Sequence, residues 1–175
     1  ANTGSLGMGI SKSKGIIKAN KLKGIDSKVI VLTGDGELQE GQIWESLNRV
    51  PQENLKELMI IVDNNKFQSD RSVKFTSNLG NIEKKFKSFG IETISCDGND
   101  VNEFSKAFES LELSKKPSAL IANTIKGHGV SFMHGDSLIE GEFYQYHSGA
   151  INQKDFDSSI LELSNNINKI IKDLE

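Results

Sequence analysis

The stretch GDGELQEGQIWESLNRVPQENLKELMIIVDNNKFQSD, Gly34 to Asp70, decides the fold. Two apolar runs frame it. Val29-Ile30-Val31-Leu32 leads into Gly34-Asp35-Gly36, and Met59-Ile60-Ile61-Val62 leads into Asn64-Asn65. Each run has the length and branched-chain content of a buried strand. The segment from Glu37 to Leu47 between them reads as the connecting helix. A strand, a helix and a second strand predict a parallel pair. Asp35 and Asn65, 30 residues apart, then converge at the carboxyl edge of the sheet. That edge is where open α/β sheets take ligands. Magnesium prefers oxygen donors and often takes one or two carboxylates together with ligand phosphates. The pair therefore suggests a metal–diphosphate site. Taken singly, Gly-Asp-Gly is a tight turn after a strand and Asn-Asn a strand-ending turn; the weight lies in their joint placement.

The rest of the chain alternates in the same way. A helix is predicted over about Gly7 to Leu22, closed by Gly24, then a strand over Lys28 to Thr33. A helix follows from about Gln39 to Val50, then a strand from Leu58 to Asp63 and a loop from Asn65 to Leu79. Further along come a helix at Ile82 to Phe89 with Gly90 at its cap, a strand at Ile91 to Cys96, a helix at Val101 to Leu113 and a strand at Ser118 to Asn123. The tail from Gln153 to Leu174 carries Phe156, Ile160, Leu163, Ile167, Ile170, Ile171 and Leu174 at helical spacing. The fold class is α/β, a mostly parallel sheet with helices on both faces. Four strands are clear, so an edge or central strand is expected upstream of Ala1.

Composition bounds the function. A length of 175 residues suffices for a packed core in one domain, residues 1–175. A formal charge of −3 gives no basic footprint, which argues against nucleic acid as a partner. The single cysteine excludes an internal disulfide and fits the reducing cytoplasm. No apolar stretch approaches the ~18 residues of a membrane span. The chain opens at Ala1 without methionine or a signal-like segment, and the expectation is a domain lacking its amino-terminal part.

Gly34 to Asp70 resembles the thiamine-diphosphate signature of transketolases. The resemblance continues in Thr3-Gly4-Ser5-Leu6-Gly7-Met8-Gly9, Phe86 to Gly90, Asp97-Gly98-Asn99-Asp100, Thr124 to Met133 and Tyr146-His147-Ser148-Gly149-Ala150. It covers nearly the whole chain, and is closest to the amino-terminal subunit of split, two-chain transketolases. It implies that Asp35 and Asn65 bind Mg²⁺ through their side chains and Phe67 through its carbonyl. It implies that Gly34 and Gly36 bind the cofactor, Gly36 offering its N–H to phosphate, since the lack of a Cβ allows close approach. Gly4, Leu6 and Gly7 match the family loop near the aminopyrimidine of the cofactor. His147 matches a histidine that reaches the diphosphate and the substrate. Glu40 matches a glutamate at the contact between paired cofactor sites, where carboxylates from two subunits can share a proton.

Other residues carry plainer expectations. Without the resemblance, Gly4 to Gly9 is a flexible glycine-rich end and Glu40 a solvated glutamate favoured by the helix dipole. Lys126-Gly127-His128-Gly129 closes a strand as either a phosphate-facing loop or a plain one, the plain loop being favoured over a catalytic role, with histidine at a position where the family often has lysine. Gln68 and Asp70 flank the metal loop and face either substrate or a turn. Cys96 is a small strand-end residue rather than a nucleophile. Ile151 stands where the family has proline. Lys12 and Lys14 replace small apolar residues, and burying lysine is costly, so the first helix should be less covered.

The resemblance implies transfer of a two-carbon ketol unit between sugars or sugar phosphates, with thiamine diphosphate and Mg²⁺. It implies a partner chain carrying the pyrimidine-binding domain with its activating glutamate, and a dimer of two-chain units. It implies that this chain alone does not turn over. Two alternatives stay open: the α subunit of a 2-oxoacid dehydrogenase, which shares the Gly-Asp-Gly to Asn spacing, and a non-catalytic remnant kept for assembly or regulation.

Overall fold

A computed structural model describes residues 4–138 and 142–174. Its elements are α1 (Gly9–Leu22), β1 (Val29–Gly34), a 3₁₀ turn (Gly36–Gln39), α2 (Gly41–Leu47), β2 (Leu58–Asn64), β3 (Phe67–Gln68) and β4 (Arg71–Ser72). They continue with α3 (Val73–Thr76), α4 (Ile82–Ser88), β5 (Glu92–Asp97), α5 (Val101–Glu112), β6 (Ser118–Asn123) and α6 (Gln153–Leu174). The main sheet is wholly parallel, in the order β1-β2-β6-β5. The predicted parallel pairing of the first two strands holds, with Gly34 opposite Asp63.

Alternation along β2 explains the two layers. Leu58, Ile60 and Val62 pack with Ile10 and Ile17 of α1, Ile43 and Leu47 of α2 and Phe86 of α4. Met59 and Leu120 turn to the other face, where Ala107 and Leu111 of α5 cover them. Helices thus lie on both faces, as period-2 burial of a central parallel strand requires. Asp100 caps α5 by accepting from the N–H groups of Asn102 and Glu103. Gly90, at φ +77°, closes the end of α4.

Two expectations need correction. The helix predicted over 39–50 is a 3₁₀ turn and a short helix broken at Glu40, whose ψ of 121° is extended. The indole of Trp44 donates to the Leu38 carbonyl at 2.8 Å, binding the two pieces together. The loop of 65–79 contains a small antiparallel hairpin, β3–β4, and the turn of helix α3. Ile43 and Leu47 are core residues, and Trp44 packs on Phe86 and Phe89 at 5.3 and 5.6 Å.

The lysines of α1 avoid the core, as their hydration requires. Lys12 is exposed, and Lys14 donates to the Ser46 carbonyl at 2.9 Å. β1 forms one border of the sheet, and Leu32 on the face away from α1 is 72% exposed. In α6, Ser159 is buried and Glu162 accepts from the Ser131 N–H, while the stripe of Phe156, Ile160 and Ile167 faces outward.

Candidate functional site

The β1–β2 ladder runs one step beyond the strand, where the Asp35 N–H donates to the Asp63 carbonyl at 3.0 Å. Asp35 is therefore fixed at the carboxyl edge, and only 1% of it is exposed. Its Oδ1 accepts from the Gly36 N–H at 2.9 Å and its Oδ2 from the Lys66 N–H at 2.7 Å. Lys66 adopts a left-handed φ of 70°, in the turn that carries this N–H. Burial raises the Asp35 carboxyl to about 6; the two N–H bonds and the Lys66 charge act against it, while Asp63 pushes the same way. The Lys66 ammonium is held below its usual range by burial, opposed by Asp35.

Asn65 sits at the end of the neighbouring strand, as its spacing predicts. Its Nδ2 donates to Asp63 Oδ2 at 2.9 Å and its Oδ1 accepts from the Phe67 N–H at 2.9 Å. The second oxygen of Asp63 accepts from the Thr124 hydroxyl. Asp63 thus orients Asn65 and ties β2 to the loop after β6. Sequence reasoning passed over it as a strand end; its one signal was a carboxylate inside an apolar run. Gly34 has open space around it, whereas a Cβ on Gly36 would lie 2.5 Å from Gln68 Cβ. Glycine is required at Gly36 by this close approach. The Gly36 N–H, expected to face phosphate, is bonded to Asp35. Gln68 Oε1 is buried there without a partner.

Lys126 is the residue most underestimated from sequence. Its ammonium donates to the Ser69 carbonyl at 3.0 Å and lies 3.1 Å from His147 Nδ1. It also sits 5.1 Å from the centre of the Tyr144 ring. Burial lowers its pKa, and Asp63, Asp35 and Asp70 oppose that effect. The loop is sharply bent: Gly127 has φ +77°, and a Cβ there would stand 2.1 Å from the Met133 carbonyl oxygen. His147, itself exposed, is thereby brought to the edge that carries Asp35 and Asn65. A cleft of about 300 Å³ beside them is lined by Asn65, Lys66, Phe67, Thr124 and Lys126.

The glycine loop joins from the other side. The Gly7 N–H donates to Glu37 Oε1 at 2.8 Å, and Gly7 has φ +79°. Gly4 and Leu6 are exposed. Glu40 is exposed too and makes no side-chain cap bond to α2. Cys96 is partly buried, and that burial raises its thiol pKa, which fits an unreactive residue.

The donors suit a hard cation that brings its own phosphate ligands. Among the described residues no three of histidine, cysteine, aspartate and glutamate gather around one point. One buried carboxylate with neutral amide and carbonyl oxygens is the sparse set that magnesium uses with a diphosphate. The ammonium of Lys126 supplies positive charge beside it.

Residues 1–148 match the family described as transketolase, thiamine diphosphate binding domain. The chain belongs to that family. It is 42% identical over 134 residues to one subunit of the apulose-4-phosphate transketolase of Actinobacillus succinogenes, covering 77% of this chain and 49% of the relative. The corresponding protein of Phocaeicola vulgatus, described in the same words, is 32% identical over 173 residues, covering 98% and 59%. The chain thus spans about half the length of these curated relatives. Among solved structures, Campylobacter jejuni transketolase superimposes with a TM-score of 0.80 at 28% identity, over 93% of this chain and 26% of that one. The family assignment and the mostly parallel α/β fold agree with the expectation from sequence. No helix among the described residues is long and apolar enough to cross a membrane.

Proposed function

We propose that residues 1–175 form the diphosphate-binding portion of a transketolase-like enzyme that moves a two-carbon ketol unit between sugars or sugar phosphates. The observation that carries this reading is the buried Asp35 carboxylate beside Asn65, at the shared end of two parallel strands. Asp35, Asn65 and the Phe67 carbonyl would hold Mg²⁺. Gly4, Leu6, Gly7, Gly34, Gly36 and His147 would line thiamine diphosphate, and Lys126 is added here as a partner for its phosphates. When bound, the cofactor supplies the carbon nucleophile of the reaction. This chain's residues supply binding, charge and orientation. His147 would contact diphosphate and substrate. With Lys126 donating to its Nδ1, its other ring nitrogen is free to meet a substrate hydroxyl.

The relatives named above are transketolase subunits, which favours ketol transfer over 2-oxoacid decarboxylation and over a non-catalytic remnant. Their description as subunits, in the plural sense of a divided enzyme, supports a separate partner chain carrying the pyrimidine-binding domain. Exposed Glu40 is free to meet a second copy, and the proposed assembly is a dimer of two-chain units in the cytoplasm. Light scattering of the active complex should give a mass of at least two such units; a single unit with full activity contradicts the assembly.

The binding reading is tested by titration calorimetry of the full-length protein with its partner. Thiamine diphosphate should bind with Mg²⁺ present and at least about tenfold more weakly once the metal is chelated. Equal affinity with and without the metal would refute the site. Decarboxylation of pyruvate in place of ketol transfer would reverse the choice of reaction.

A further inference from the structure

We infer that Glu37 is a positioning residue that locks the amino-terminal glycine loop to the turn carrying Asp35, so that the two ends of one ligand meet a frame of fixed spacing. The inference rests on the thiamine-diphosphate reading above. Glu37 lies two residues after Asp35, in the 3₁₀ turn Gly36–Gln39. Its Oε1 accepts from the Gly7 N–H at 2.8 Å and its Oε2 from the Thr33 hydroxyl at 2.8 Å. Both are charge-assisted bonds at good length. Thr33 is buried within β1, so one arm of the carboxylate is anchored to the sheet. The other arm holds a backbone group 30 positions earlier in the chain.

A glutamate in a first turn ordinarily serves the helix dipole. Here both oxygens are committed elsewhere, to a strand hydroxyl and to a distant loop. The loop also lies directly on the turn: a Cβ on Gly7 would come within 2.9 Å of Glu40 Cβ. Gly7 precedes α1, which starts at Gly9, so its position sets where Gly4 to Leu6 project. Gly4 has open space around it and Leu6 is 62% exposed, so among the described residues the Glu37 bridge is a tie that orders this segment from the metal side. Metal and diphosphate engage Asp35 and Gly36; the ring end of the ligand meets Gly4 to Gly7; Glu37 joins the two.

The test uses two probes on the full-length chain with its partner: thiamine diphosphate and inorganic pyrophosphate, each with Mg²⁺. Pyrophosphate engages only the metal end. Glu37→Ala should weaken thiamine diphosphate by about tenfold while leaving pyrophosphate within about twofold. Amide exchange at Gly7 should quicken by at least about tenfold as its acceptor is lost. Glu37→Gln keeps one oxygen for Gly7 and should recover most of the affinity. If the alanine variant does not fold, Thr33→Val frees one arm and should give the same selective loss in smaller measure. Equal losses for both probes, no loss for thiamine diphosphate, or unchanged exchange at Gly7 would each overturn the inference. Failure of the unaltered protein to bind thiamine diphosphate would instead bring down the functional reading, and the inference with it.

Discussion

Replacing Asp35 by asparagine is expected to cost at least about 100-fold in Mg²⁺-supported cofactor affinity, since the variant removes the one carboxylate of the proposed metal set. The same change should also leave a signature in the protein without ligand. In the unfolded chain an aspartate carboxyl has its pKa at about 3.9. In the folded chain burial raises Asp35 to about 6. Between those values the folded state keeps a proton that the unfolded state has released. Stability from this group is therefore fully present below about pH 4 and lost as pH rises through about 6. A shift of this size corresponds to a loss on the order of 3 kcal/mol across the window.

Carboxylates held low by a lysine partner act with the opposite sign, losing their contribution as pH falls. Glu53, held low by its hydrogen bond from Lys18, is one. The informative quantity is thus the difference between the two proteins. Denaturant melts from pH 4 to 8, without metal or cofactor, should show the parent losing stability relative to Asp35→Asn between about pH 4 and about 6, the loss levelling off above about 6 as the folded carboxyl ionises. Metal affinity of the parent should fall as pH drops through the same point, because the bound form needs the carboxylate ionised. A stability difference that does not change with pH would mean that Asp35 ionises normally. Retained affinity in the variant would mean that the metal site lies elsewhere.

What could be read from sequence and what could not divide along one line. Asp35 and Asn65 were legible because each closes a strand, and a strand end is a local property of a short run. The parallel pairing followed from the length of the connection between them. Lys126 and His147 were not legible as a pair, because they stand 21 positions apart and only the folded path brings the two side chains to 3.1 Å. Glu37 entered only as the start of the connecting helix, since its partners lie at Gly7 and Thr33 rather than in its own turn. The hairpin β3–β4 has two residues in each strand, too few for any period to show. The helix expected over 39–50 failed at Glu40, where the chain extends so that Trp44 can reach the Leu38 carbonyl. In α6 the periodicity gave the helix correctly, but a period does not say whether its apolar stripe meets anything.

The isolated 175 residues should show no measurable ketol transfer, and activity should appear only with the full-length chain and its partner. Asp35, Asn65, Lys126 and His147 gather along one open edge of the sheet, and they account for the diphosphate end of the proposed ligand. The segment from Gly4 to Leu6, proposed to meet the ring end, is exposed. In the proposed reading the carboxylate that activates the aminopyrimidine stands on the partner chain, so the reacting carbon stays protonated without it. Holding reacting groups in correct mutual geometry can supply ~7–11 kcal/mol of a barrier. At 1.36 kcal/mol per tenfold, its loss slows the reaction by about 10⁵ or more, which is absence rather than weakness in a coupled assay. The measurement is product formation from a ketose phosphate donor and an aldose phosphate acceptor, with thiamine diphosphate and Mg²⁺ in excess. It should be made on the 175 residues, on the full-length chain and on that chain with its partner. Activity confined to the last mixture is expected. Turnover by the 175 residues at a rate near that of the complex would mean that the site is completed from this chain's own side chains. The search would then turn to which second carboxylate, exposed Glu40 first, a second copy brings to the ring.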